Sequence, residues 1–577
     1  MRRILVVLLL IAVTASANDR TRTSMQSGGN TTPIHDRGLR GEGQIIAILD
    51  TGADWTSCYL SEPDGRRPPL NLGTPSGGFD WQNVDLTRRK IIAYNFLYSC
   101  QQFPGATGCD NPDLTQTMTS PTNAYDNQGH GTHAATTAAG DKGSVATHDT
   151  GDALARAAKL IIQDAGMIYQ NGQFFGDACS QRPGIGCPVS LTPILDQAYK
   201  QGARIHSNSW GDRQGVGFGA PPTANYPNSA RDLDAFVYTH PDMLVVFNNG
   251  ILTTPQGAVE ETNMPPASSL SAPGSAKNAL QVGGTRGYEA RPDDQLVNYS
   301  LVGPTRDGRI KPDVVGPAWV LAGASSVYCA AYPSMCNGTT GCATTEANGT
   351  SWASPTVASA AALVRQYYTD GFYPNGASGS GVRMNPSAAL LKASIIAAAR
   401  PVLYRSNRTT RYDAEPVPSP EQGYGFPVLD DVLYFSGEQR RLRVYDVSLE
   451  SGLTQGTSFS TTIDVQPGTP LKAVLVWTDP AGHVAGVTDT TPQLVNDLDL
   501  RVIAPAGNTM YGNERLHPGQ PDRLNNVEAV TVDAPSAGRY TISVSAHAIA
   551  QGPRQGYALV LTGDFASDPP RRRAVRR

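Results

Sequence analysis

An α/β domain carried on a parallel sheet, followed by an all-β sandwich of the jelly-roll kind, is the fold class this sequence predicts. Three observations lead to it. Short apolar runs alternate with helix-like segments through roughly residue 430, as in strands joined by crossover helices. From about residue 440 the pattern becomes strand-like alternation between turn signals, with no competing helical period. Finally, 577 residues, 40% hydrophobic and with 59 Gly and 43 Pro, allow more than one buried core and many turns.

In chain order, residues 1–17 read as a secretory signal peptide: Arg2 and Arg3, the apolar run "ILVVLLLIAV", then Ala15 and Ala17 at cleavage spacing. The α/β domain is expected over 18–435. Its buried strands are "QIIAILD", "AAKLIIQD", "ARIHSNSW" and "MLVVFNNG". Its helices are "ASAAALVRQYY", after Ser351, and "PSAALLKASIIAAA", with Pro386 at its start. The β-domain is expected over 440–565, from "SFSTTIDV", "KAVLVWTD", "LDLRVIAP", "VEAVTVDA", "RYTISVSA" and "YALVLTGD", with the boundary near "SPEQGYGFPVLDDV". Residues 566–577 end in a basic tail, expected to be disordered.

No other apolar stretch reaches membrane-spanning length, so the chain is expected to be exported, soluble and extracellular, acting as a monomer. Eight Cys form an even set suited to an oxidising compartment. Cys179 with Cys187, and a pair among Cys329, Cys336 and Cys342, are candidate local bridges. Five Arg lie in the last seven residues, and without them the net charge falls from −4 to −9. So acidic a body argues against a nucleic-acid partner. Sequons begin at Asn30, Asn298, Asn337, Asn348 and Asn407.

Three segments place chemistry at element ends. Asp50 closes "QIIAILD", putting a carboxylate at the carboxyl end of a parallel strand, where open α/β sheets build their sites. In "GHGTHAATTAAG", His130 sits between two glycines before a helix of small residues, and the glycines are expected to let its ring approach a substrate. His133, three residues on, raises the alternative of a metal pair. In "NGTSWASPTVASAAAL", Ser351 stands at a helix amino end, with Pro355 expected near the first turn. Backbone N–H groups and the dipole there favour a developing oxyanion. A serine hydroxyl is a weak nucleophile at neutral pH, so it needs an imidazole and a carboxylate behind it.

Asp-Thr-Gly after a strand, "GHGTH" before a helix and "GTSWASP" opening another, in the order Asp, His, Ser, resemble the subtilisin-like serine peptidases. "ARIHSNSWG", "LDAFVY", "GSAKNALQVGG", "DGRIKPDV", "VNDLDLRVIAPAG" and "RLNNVEAV" extend the resemblance to the KP-43-like branch, which carries a carboxyl-terminal jelly roll. The resemblance implies a subtilisin-like catalytic domain in which Asp50 orients, His130 is general base and acid, and Ser351 attacks. It also implies that Ser209, Trp210 and Gly211 form an edge that pairs with extended substrate backbone.

The chain departs from the family at the oxyanion position. Where the family has "AAGN", this chain has "VVFNNGIL", which puts Ile251 in the place of the Asn and leaves Asn249 or Asn248 as the substitute donor. Losing that donor costs about 100- to 1,000-fold in turnover. Val302 stands for an Arg, and Trp352 for the Met after the nucleophile. About thirty residues separate the expected cleavage from Asp50. A separately folding pro-domain needs roughly 40 or more. No cofactor is expected for catalysis, but Asp497, Asp499, Asn513, Asp522, Asn526 and Glu528 offer the oxygen ligands of a structural Ca²⁺. Two functions follow as expectations: a secreted serine endopeptidase acting on polypeptides through an acyl-enzyme, or a catalytically silent binding protein of the same shape.

Overall fold

The computed structural model describes residues 18–29, 31–72, 80–97, 126, 129–143, 152–165, 191–211, 223–254, 259–260, 262–286, 295–339, 341–406 and 411–566. The expected signal peptide, Asn30, Cys179, Cys187, Asn407 and the basic tail from 567 on lie outside the described residues.

A large sheet forms the first domain. Its parallel core runs Leu70–Leu72, Ile91–Phe96, Lys159–Asp164, Ile45–Asp50, Ile205–Asn208, Leu244–Asn248, Leu280–Thr285. The strand Ile45–Asp50 lies between one strand order running outward on each side, which makes its carboxyl end a topological switch point. All but its first residue are buried, because helices cover the sheet and a parallel strand has no wet face. Two of those helices, His130–Ala139 and Thr350–Thr369, lean on it and on each other. Small residues allow the approach: Ser359 Oγ reaches across to donate to the Ala138 carbonyl at 2.7 Å.

The second domain is a sandwich of two four-stranded antiparallel sheets. One comprises Arg441–Val447, Tyr557–Gly563, Leu471–Val476 and Val527–Val532; the other Ser458–Val465, Gly538–Ile549, Asn496–Ile503 and Thr509–Tyr511. The period-2 rule sorts the first sheet's residues. Ala473, Leu475, Leu559 and Leu561 fill the sandwich interior, while Val474, Val476, Ala558 and Val560 belong to the main core of the α/β domain. That outer face meets helix Ala388–Ala397.

Two disulfides are present among the described residues. Cys329–Cys336 is one of the local bridges anticipated; Cys342, the third candidate, instead joins the remote Cys58. Among the described residues, no helix is long and apolar enough to cross a membrane. Asn298 is buried, with its amide donating to the Asn263 carbonyl at 2.6 Å, so that sequon offers no exposed acceptor.

Candidate active site

Asp50 and His130, eighty residues apart, meet at the switch point: Nδ1 of His130 lies 2.7 Å from Asp50 Oδ1. A ring nitrogen so close to a carboxylate carries the proton, which makes Nε2 the basic nitrogen of the neutral ring. Burial pushes the imidazole pKa down, but the Asp50 charge and hydrogen bond, with a smaller contribution from Asp126, outweigh it and the net shift is upward. The flanking glycines serve packing rather than open access. A Cβ on Gly131 would lie 2.0 Å from the Gly52 carbonyl oxygen, and Gly129 holds the helix entry at φ 72°.

Ser351 is the second residue of helix Thr350–Thr369. Pro355 falls in the second turn rather than the first, and its missing N–H leaves the Ser351 carbonyl without a helical partner. Ser209 fills that gap: its hydroxyl donates to the Ser351 carbonyl at 2.6 Å. In return Ser351 Oγ donates to the Ser209 carbonyl at 3.2 Å, long for an O–H···O bond, instead of donating to His130. The expected hydroxyl-to-imidazole link is therefore not formed in this state. Trp352, adjoining the serine, lies with its ring 4.7 Å from that of His130.

Sequence reasoning missed Asp126. Its carboxylate accepts from Thr51 Oγ at 2.9 Å, Gly129 N at 2.9 Å, and Thr132 N and Oγ at 2.6 Å each. Thr51 also accepts from Gly131 N at 2.8 Å. The turn after Asp50 and the helix bearing His130 are thus tied through one buried carboxylate, which burial raises to about 7 despite those donors. The signal available in the sequence was the Thr in both Asp-Thr-Gly and Gly-Thr-His, two hydroxyls to which the motif reading gave no task.

The oxyanion expectation for Asn249 is corrected. Asn249 is fully buried, and its amide donates to Ser300 Oγ at 2.9 Å and to the Leu301 carbonyl, so it is committed inward. Ile251 packs against the cluster of Val297, Tyr299 and Ala318 and brings no donor. Asn248 is also buried, and its Oδ1 has no partner. The Ser351 N–H, which no residue among those described engages, stands at the helix amino end as a backbone donor.

His133 turns away from any metal pairing. Its Nε2 meets the Thr345 carbonyl at 3.2 Å, its ring sits 4.0 Å from Trp352, and burial, then the charge of His130, lowers its pKa to about 3. The Trp210 ring packs edge-on against Phe247 at 5.2 Å and is partly buried. A Cβ on Gly211 would strike Ser271 Oγ at 2.5 Å. Ser209, Trp210 and Gly211 continue past the carboxyl end of strand Ile205–Asn208, on the Ser351 side of the site.

The residues proposed for Ca²⁺ are engaged otherwise. The Arg523 guanidinium pairs with both Asp497 and Asp499. Asp522 takes the amides of Asn513 and Asn525, each at 2.7 Å. Asn526 donates to the Trp477 carbonyl at 2.8 Å, and Glu528 accepts from Leu500 N at 2.6 Å. Among the described residues no three His, Cys, Asp or Glu converge as a metal ligand set, while Glu528 Oε1 is buried without a hydrogen-bond partner.

Residues 41–425 match the family model described as the subtilase family. The chain is 24% identical over 639 residues to a Dictyostelium discoideum protein described as serine protease/ABC transporter B family protein tagA, covering 94% of this chain and 32% of that one. It spans about a third of the length of the curated relatives it matches. Among solved structures it is similar to the Aeromonas sobria serine protease crystallised with its chaperone ORF2, at 14% identity, 96% coverage of each chain and a TM-score of 0.38. It is also similar to the prenylagaramide maturation protease PagA, at 16% identity, 67% coverage of this chain and 92% of that one, and a TM-score of 0.35.

Proposed function

This chain belongs to the subtilase family, and from that premise we propose that it is a serine endopeptidase that hydrolyses peptide bonds in extended polypeptides, exported through residues 1–17. The observation that carries the reading is the 2.7 Å contact between His130 and Asp50 at the sheet's switch point, with Trp352, the neighbour of Ser351, against the same imidazole. The Ser351 hydroxyl rotates from the Ser209 carbonyl to Nε2 of His130, gives up its proton and attacks the scissile carbonyl. The oxyanion forms at the Ser351 N–H. His130 then passes the proton to the leaving amine, and water, activated by the same ring, releases the acyl group. Were that N–H to act without a side-chain amide beside it, turnover would fall about 100- to 1,000-fold.

A second reading, a binding protein that holds peptides without cleaving them, is favoured by the inward commitment of Asn249 and by the hydroxyl facing Ser209. Incubating the full chain with denatured protein and sequencing new amino termini separates the two. Cleavage lost in Ser351→Ala supports the peptidase; peptide retained uncut by both forms supports the binder.

A further inference from the structure

Strands Trp319–Gly323 and Thr344–Asn348 pair antiparallel, and the second leads straight into Gly349 and the Ser351 helix. The tip of this hairpin, residues 324–343, is therefore rooted at the nucleophile, yet it returns to the histidine. The Tyr328 ring lies on Gly129: a Cβ there would come 2.9 Å from Tyr328 Cγ. Tyr332 stands one turn on, its ring 5.1 Å from that of Tyr328, and it is 55% exposed, as Met335 is 53%. Exposed aromatic and thioether side chains grouped at a tip call for an explanation, since water is a poor neighbour for them.

The tip is fixed, not loose. Ser325 Oγ donates to the Asp126 carbonyl at 2.9 Å and Ser326 N to Asp54 Oδ2 at 2.7 Å. Cys329–Cys336 closes the tip on itself, and Cys58–Cys342 ties it to the segment after Asp50. Thr345 Oγ donates to the Met335 carbonyl at 2.9 Å. An aromatic ledge is thus held beside the residue that precedes His130.

In serine acyl transfer the histidine delivers its proton to the departing amine, so the chain beginning at that amine runs past the imidazole. Ser209 occupies the other flank, against Ser351. We propose that Tyr328 and Tyr332 form a subsite for an aromatic or long apolar side chain just after the scissile bond, an assignment that rests on the peptidase reading. A fixed ring pair suits such a partner because aromatic contacts add attraction beyond the area they bury.

Acyl transfer reads this side alone. The full chain is acylated with a peptide ester, and the acyl-enzyme is partitioned between phenylalanine amide and glycine amide, which enter where the leaving amine departs. The wild type is expected to prefer phenylalanine amide about threefold to tenfold. The preference falls to near unity in Tyr332→Ala, a change at an exposed position, and in Tyr328→Ala, and persists in Tyr332→Phe. No preference in the wild type, or one that survives both alanine changes, overturns the subsite. Failure of any acyl-enzyme to form, together with no fluorophosphonate adduct on Ser351, overturns the peptidase reading and takes the subsite with it.

Discussion

His130 sets the pH at which the site works. Its pKa is raised by Asp50, and only the neutral ring accepts the serine proton, so activity grows as pH rises through that raised value. The acid limb of kcat/KM is expected above the ordinary imidazole value of about 6.5. Asp50→Asn removes the charge and favours the wrong tautomer. The limb should move to lower pH while kcat falls about 10⁴-fold, measured on one peptide from pH 4 to 9. Asn249 offers a contrasting test. Its amide is spent inside the protein, so Asn249→Ala should lower stability by about 1–3 kcal/mol in urea unfolding. An oxyanion donor would instead lose 100- to 1,000-fold in kcat on substitution; a change under tenfold is expected here.

At the scale of elements, what aligns the site is how one strand end and two helix starts are tied. Asp126 ties the first pair, taking hydrogen bonds from Thr51 on the strand side and from Gly129 and Thr132 on the helix side. Asp126→Asn turns one acceptor into a donor facing an N–H or O–H. Because that misplaces His130 without touching substrate, kcat should fall about 10- to 100-fold with KM nearly unchanged. Equal losses in both, or none in either, would deny Asp126 this positioning role. The elements themselves were legible. "QIIAILD" and "MLVVFNNG" became the strands Ile45–Asp50 and Leu244–Asn248, since an apolar run with no polar face suits a sheet covered on both sides. The ties were not legible. The Ser209 hydroxyl answers a carbonyl orphaned by Pro355 from 142 residues away, and no local pattern in the sequence announces such a meeting. Asp126, seen only as part of "YDNQGH", reads as a turn former until Thr51 and Thr132 arrive beside it.

At the scale of the whole molecule the β-domain is built into the α/β domain. Val474, Val476, Ala558 and Val560 join the main core, and Lys277 and Asp479, both fully buried, pair across the junction. Lys277 also donates to the carbonyls of Pro480 at 2.6 Å and Gln493 at 2.7 Å. Calorimetry of the intact chain is expected to show one joint unfolding transition, and two resolved transitions would contradict the shared core. Lys277→Met leaves Asp479 buried and unpaired, and should cost about 3–5 kcal/mol. Period-2 alternation in the sequence foretold the strands of this domain, but not that one sheet would be apolar on both faces for the sake of a neighbour. The central claim is that residues 50, 130 and 351 act as one proton relay, and the rate at which a fluorophosphonate modifies Ser351 tests it most directly. A single adduct on Ser351 in the wild type, slowed at least 1,000-fold in His130→Ala, is the predicted result. An adduct elsewhere, or equal rates in the two proteins, would contradict it.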